Sequence, residues 1–303
     1  MEKAFALCSG VALCVALVVQ PTVAQPPSDW VQYRRVDVDT PWGPQRVLLS
    51  FPRRPDHRLS PPGRRYPMVI ALHGRGEALV GPERGYLAWA VRYLMPNAFE
   101  ALARNRLSQG DYRTLVRPEH LRSVNARLRS QPYRGVVVVT PYVPDLSGEE
   151  LGAWDVTEYA DWLAGPLVDA IRARFDGVAQ TREGLGIDGV SLGGRVALEA
   201  GFRHPTIFGA VGASQPAIRG MEPELAALAS TSVPPQHIRL LTSDDDPFLW
   251  ATRRLSLGLR EHHVNHTLTT VPGPHDYIFN RGPGVLEMLL FHDRALVRET
   301  VEE

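Results

Sequence analysis

The stretch Gly184-Leu185-Gly186-Ile187-Asp188-Gly189-Val190-Ser191-Leu192-Gly193-Gly194-Arg195 constrains this chain more than any other. A short apolar approach runs into a serine fenced by glycines and then into a helical pattern. In a Gly-x-Ser-x-Gly motif of this kind a strand turns abruptly into a helix and holds the hydroxyl at a strained, exposed corner. Flanking glycines remove the side chains that would clash there. The first amides of the helix then lie beside the hydroxyl, where a developing oxyanion would form. So short a motif also arises by chance, and a Gly-rich strand end with a capping serine reads the same way, so the context must decide.

A chain of 303 residues can bury a sizeable core, and one α/β domain over residues 25–303 is the default expectation. Residues 1–24 read as a signal peptide. Lys3 is followed by an apolar run from Ala4 to Val19, and Pro21-Thr22-Val23-Ala24 supplies small residues suited to cleavage before Gln25. The run is short for a membrane span, so the mature protein is expected to be secreted or periplasmic with no stable membrane association. Both cysteines, Cys8 and Cys14, fall inside this segment, which leaves the mature chain without a disulfide or a thiolate. Lys3 is the only lysine, which excludes Schiff-base chemistry and a phosphate-loop lysine. The formal net charge is zero, and nothing points to a nucleic-acid partner.

Along the chain, Trp30 to Asp39 and Gln45 to Phe51 read as strands of an antiparallel hairpin around the turn-rich Thr40-Pro41-Trp42-Gly43-Pro44. Met68-Val69-Ile70-Ala71-Leu72 is a continuous apolar run of the kind a buried parallel strand needs, and it ends in His73-Gly74-Arg75-Gly76. Helical patterns at Leu87 to Arg106 and Pro118 to Leu128 lie in a helical insertion around 77–134, long for one crossover and expected to reach the sheet edge or the site mouth. Strands at Gly135 to Pro141, Phe208 to Ser214, His237 to Thr242 and Thr267 to Val271 then alternate with helices at Val156 to Phe175, Leu192 to His204, Phe248 to His262 and Pro283 to Val297. Such alternation predicts an α/β fold with a mostly parallel central sheet and helices on both faces.

In a sheet of this type catalytic groups gather at the carboxyl ends of the strands. Four candidates sit at such ends: His73-Gly74-Arg75, Ser191, the acid run Asp244-Asp245-Asp246, and His275. Their chain order is nucleophile, acid, histidine, with 55 residues from Ser191 to Asp246 and 29 from there to His275, the order used by hydrolases on such sheets. A serine hydroxyl is a poor nucleophile until a histidine takes its proton, and a buried carboxylate stabilises the imidazolium that forms.

From about Tyr66 to His292 the chain resembles the α/β-hydrolase superfamily, and within it the esterase D-like esterases related to feruloyl esterases and polyhydroxyalkanoate depolymerases. The resemblance rests on Tyr66-Pro67, Leu72-His73-Gly74, Gly189-Val190-Ser191-Leu192-Gly193-Gly194-Arg195, Phe208-Gly209-Ala210-Val211, Asp246-Pro247-Phe248 and Val271-Pro272-Gly273-Pro274-His275-Asp276-Tyr277. It implies Ser191 as nucleophile, His275 as general base and then acid, and an aspartate of the 244–246 run as orienting acid. The resemblance favours Asp246, because members of the family place the acid just before the residues that begin the next helix, as in Asp246-Pro247-Phe248; Asp245 is second, and the acids not used read as solvated charges near that helix start. The oxyanion hole is expected from the backbone amides of Leu192 and Arg75. Arg75 and Glu77 stand where similar esterases often have glycine, which predicts a more polar pocket. Gly165-Pro166 also departs from the pattern, which commonly has an acid there.

Other features have plainer readings. His262, His263 and His266 lack an accompanying carboxylate or cysteine at ligand spacing and read as a solvated cluster rather than a metal site. The His73 ring is expected to support the turn that presents the oxyanion amides. Trp154, Tyr159 and Trp162 read as core or rim aromatics rather than a carbohydrate platform. The expectation is therefore a serine hydrolase that cleaves a small-molecule or polymeric carboxylic ester through an acyl-enzyme, with no metal or organic cofactor. An acyltransferase or peptidase on the same residues, and a non-catalytic binding module on the same fold, are its alternatives.

Overall fold

The protein's structure, a computed structural model, describes residues 28–40, 43–53, 63–146 and 155–300. The signal peptide expected over residues 1–24 and the side chain of Trp154 lie outside the described residues. Eight strands form one sheet: Val31–Val38 (β1), Gln45–Pro52 (β2), Met68–Leu72 (β3), Val137–Pro141 (β4), Leu185–Gly189 (β5), Ala210–Ser214 (β6), His237–Asp245 (β7) and Thr267–Pro274 (β8). Their spatial order is β1-β2-β4-β3-β5-β6-β7-β8, antiparallel from β1 to β4 and parallel thereafter. The N-terminal hairpin thus supplies one edge of an otherwise parallel sheet.

The central strands are buried throughout because both faces are covered. Alternation along a strand divides their side chains between two cores. Met68, Ile70 and Leu72 of β3 and Val137 and Val139 of β4 enter one, whereas Val69, Ala71 and Val138 enter the other. The first core is closed by Val156–Trp162 (α5), Val168–Arg174 (α6), Leu192–Arg203 (α7), Glu222–Ser230 (α8) and Leu249–Glu261 (α9). The second is closed by Met95–Ala103 (α3), Pro118–Ser130 (α4) and Val285–Ala295 (α11). The short helices Arg75–Ala78 (α1), Pro82–Gly85 (α2) and Tyr277–Phe279 (α10) complete the set. Among the described residues no helix is long and apolar enough to cross a membrane.

Two expected helices are interrupted, one just before a proline and one around a proline. The pattern from Leu87 to Arg106 divides into a π-helical turn at Ala88–Arg92 and α3, separated by Leu94 in the left-handed region at φ 53°. Pro96 lies in the first turn of α3, where a missing N–H leaves no hydrogen bond unmade, so it marks a helix start. The pattern from Val156 to Phe175 carries a π-helical turn at Leu163–Leu167 around Pro166. That widening accommodates a ring that cannot donate and that would crowd the carbonyl four residues back. This is the structural content of the Gly165-Pro166 departure.

The strands β7 and β8 run farther than their apolar patterns. Their pairing continues through an irregularity between Ser243 and Asp245 to the pair Asp245 and Pro274. The next residue on each strand is Asp246 and His275, so strand register alone brings the favoured acid beside the histidine.

Candidate active site

Ser191 links the end of β5 to the first turn of α7 and has φ 56° and ψ −117°, a conformation L-residues adopt only under constraint. The constraint is visible on both sides. Its amide donates to Ser214 O at 3.0 Å, and its carbonyl accepts from Ala217 N at 3.0 Å. A Cβ on Gly193 would lie 2.5 Å from the carbonyl oxygens of Leu72 and His73, and one on Gly189 would meet Gly193 O at 2.2 Å. The glycines therefore let α7 start against the ends of β3 and β5, and this close approach holds the serine at its corner.

His275 Nε2 is 3.0 Å from Ser191 Oγ, and its Nδ1 is 2.9 Å from Asp246 Oδ1. Asp246 is 6% exposed. Its Oδ1 also accepts from Phe248 N at 3.0 Å, and its Oδ2 accepts from Thr242 Oγ1 at 2.7 Å. Phe248 packs against the His275 ring with centroids 5.4 Å apart. The other two acids of the run are placed differently. Asp245 is exposed. Asp244 is exposed as well, and it also pairs with Arg117 Nη2 at 3.1 Å and accepts from Gly273 N at 3.0 Å. Arg117 also donates to Thr270 O, so the insertion that carries it is fastened to β8 near the site.

Leu192 N opens α7 and Arg75 N opens α1, and first-turn amides have no acceptor within their own helix. The preceding amide, Gly74 N, is occupied by Tyr93 Oη at 3.1 Å. The Arg75 guanidinium is held away at Asp145, 3.0 Å distant. His73 is buried under this turn. Val143 N donates to its Nε2 at 2.9 Å, so the ring proton sits on Nδ1 and is given to Gly74 O at 2.9 Å. Burial lowers the imidazole to about 4, against the opposing pull of Gly74 O and Glu77, which keeps the ring neutral at pH 7.

The cavity over Ser191 measures about 260 Å³ and is lined by Gly76, Glu77, Tyr93, Tyr277 and Asn280 among others. Glu77 is 3% exposed and receives the hydroxyls of Tyr93 and Tyr277, each at 2.6 Å. Burial and the adjacent carboxylate raise both phenols, so they stay protonated and donate. One carboxylate, with the two phenols it holds, thus ties the turn at Gly74 to the segment that follows His275. Glu77 marked the pocket as polar from the sequence, but its tyrosine partners, 16 and 200 residues away, left no local signal.

Another cluster escaped the sequence entirely. Asp188 of β5, fully buried, accepts from Arg239 Nη2 at 2.8 Å and bonds His292 Nε2 at 3.0 Å, while its Oδ1 accepts from Gly189 N at 2.8 Å. Burial alone would raise the carboxyl, but Arg239 and His292 hold it below its ordinary value. Burial keeps His292 below its ordinary value despite the carboxylate. The aromatic readings hold for two of three residues. Tyr159 and Trp162 are buried and bond Tyr142 O and Asp39 O. Among the described residues no three His, Cys, Asp or Glu side chains gather as metal ligands would. His266 bonds Ser256 Oγ at 2.7 Å and Val264 O at 2.9 Å instead of lying free in solvent.

Solved structures share this arrangement of strands. A ferulic acid esterase superposes with a TM-score of 0.60 over 89% of this chain and 100% of its own, at 15% identity. The S-formylglutathione hydrolase of Staphylococcus aureus gives 0.55 over 89% and 100%, at 13% identity. The feruloyl esterase module from Clostridium thermocellum, complexed with sinapinate, gives 0.60 over 92% and 93%, at 11% identity. The fold is that of the α/β hydrolases. No protein-family model matches the sequence, and no curated protein sequence matches it, so the likeness is one of three-dimensional architecture. Within the α/β-hydrolase fold, Ser191 occupies the turn between the central strand β5 and α7, and Asp246 and His275 follow the last two strands.

Proposed function

We propose that the protein is a carboxylic ester hydrolase that works through an acyl-enzyme on Ser191. The observation that carries this is the unbroken line of contacts from Asp246 through both nitrogens of His275 to Ser191 Oγ. In the proposed reaction Ser191 Oγ attacks the ester carbonyl carbon while His275 Nε2 takes its proton. Asp246, against Nδ1–H, stabilises the resulting imidazolium. The negative oxygen of the tetrahedral intermediate faces the amides of Leu192 and Arg75, and one such donor contributes about 3–4 kcal/mol to the transition state. Collapse breaks the bond to the alcohol, which leaves with the proton from His275. Water, activated by the same imidazole, then frees the acid and restores Ser191.

The esterases among the structural neighbours support this reading, and the cavity's modest volume suits a small acyl group. The N-terminal segment supports export, which makes the protein a secreted or periplasmic enzyme acting on small or polymeric esters. Ser191→Ala should reduce hydrolysis of p-nitrophenyl butyrate by about 10⁴-fold or more and abolish labelling by a fluorophosphonate probe, with thermal unfolding unchanged. Retained turnover in the folded variant refutes the proposal.

A further inference from the structure

At the end of the sheet opposite Ser191, where β7 and β8 begin, a cavity of about 580 Å³ opens between these strands and helices α4 and α11. Its walls include His120, Arg127, Arg239, Arg294 and the single carboxylate Glu287. Glu287 is already answered, by the Tyr112 hydroxyl at 2.6 Å and by His120 Nε2 at 2.7 Å. That hydrogen bond raises the His120 imidazole above its ordinary value even though burial opposes it. Arg239, 4% exposed, spends its Nη2 on Asp188 and on Ser214 Oγ at 3.2 Å. Its Nε and Nη1 are buried with no hydrogen-bond partner, and so is Nη2 of Arg294.

With Asp188 set against Arg239 and His120 against Glu287, two cations remain. Among the described residues neither Arg127 nor Arg294 forms an ion pair; burial and Arg127 oppose the charge on Arg294, against the pull of Glu287 and Asp293. A buried guanidinium N–H left unmade is costly. Water filling the cavity would leave this excess of positive charge without a counter-charge, and Arg239 Nε and Nη1 and Arg294 Nη2 are closed to it as the side chains stand. An oxyanion supplies the missing charge, and its oxygens match the fork of N–H donors that a guanidinium presents.

We propose that this cavity binds an anionic oxygen group, a phosphate or a carboxylate borne by a small molecule, between Arg127, Arg239 and Arg294. The site is separate from the Ser191 pocket and does not depend on the hydrolase reading.

The test is a pair of titrations, inorganic phosphate and succinate, each at constant ionic strength maintained with NaCl. They are followed by the thermal midpoint and by calorimetry on the wild-type chain, Arg127→Ala, and the double variant Arg127→Ala/Arg294→Ala. The far-UV circular dichroism spectrum and the cooperativity of thermal unfolding serve as the check of folding. One or both anions should bind the wild type at one site per chain and raise its midpoint with the logarithm of concentration. Affinity should weaken at least tenfold in the double variant and by a smaller factor in Arg127→Ala, which alters an exposed side chain. Which anion binds more tightly identifies the head group. No saturable binding in the wild type, or an equal rise in wild type and variants as general salting-out would give, overturns the proposal.

Discussion

Asp246 offers two oxygens to three neighbours, and this fixes what its amide analogue would do. Oδ1 accepts from Phe248 N at 3.0 Å and faces His275 Nδ1 at 2.9 Å, and Oδ2 accepts from Thr242 Oγ1 at 2.7 Å. In Asp246→Asn the amide oxygen must take the Oδ1 position, because the Phe248 amide can only donate. The NH₂ group then turns to Thr242, whose hydroxyl can rotate to accept. His275 therefore keeps its proton on Nδ1 and its aim at Ser191, and only the attraction between carboxylate and imidazolium is lost. For unit charges about 4 Å apart at an effective dielectric of about 20, that attraction is about 4 kcal/mol, or about 10³ in kcat. Steady-state kinetics on p-nitrophenyl butyrate should show kcat reduced by about that factor, with KM within about threefold of wild type. Asp246→Ala, which also frees the imidazole, should lose about 10⁴ or more. Asp245→Asn, at an exposed position, should change kcat less than about twofold. If Asp246→Asn keeps more than about a tenth of kcat, or falls as far as the alanine variant, the assignment of a charge role separable from orientation is wrong.

The close approach at Gly193 gives a second prediction. A Cβ there lies 2.5 Å from two backbone oxygens, so Gly193→Ala must displace the start of α7. Urea unfolding should show a loss of about 1–3 kcal/mol, and kcat should drop about 100-fold as the Ser191 and Leu192 positions shift; wild-type kinetics in this variant would contradict the packing argument. A third concerns pH. His73 titrates near 4 when folded and near 6.5 when unfolded, so its contribution is complete above about 6.5 and declines as the unfolded chain takes up protons below it. Between pH 7 and 5 this amounts to about 2 kcal/mol. His120, raised by Glu287, acts in the opposite sense, so the two are separated by comparing urea unfolding of wild type and His73→Asn at both pH values. The slope should flatten by about that amount in the variant, and an unchanged slope would show that the His73 ring is not held neutral.

Much of the architecture is a local property of the chain. Continuous apolar runs such as Met68 to Leu72 specify buried strands, and their alternation with helical periods specifies a parallel sheet, because each signal depends only on residues a few positions apart. The glycines around Ser191 belong to the same class, since the elbow they permit is built within one strand–turn–helix unit. The two helix interruptions are local as well: at Pro96 and Pro166 a proline's missing donor and fixed φ set where a helix starts or widens, against the apolar period around them.

What the tertiary structure decided is which distant groups meet. Which of Asp244, Asp245 and Asp246 meets His275 depends on the irregular register between β7 and β8, which sends one carboxylate to His275, one to Arg117 and one to solvent. Asp188 looked like part of an apolar approach, yet it is the centre of a buried cluster whose partners, Arg239 and His292, lie 51 and 104 residues away. Glu77 meets Tyr277 across 200 residues, and Arg127, Arg239 and Arg294 gather at one cavity from three separate elements. Periodicity and motif spacing report on backbone conformation over a few residues. Charge pairing and cavity lining are set by how folded elements pack, and that physics acts through space without regard to separation along the chain.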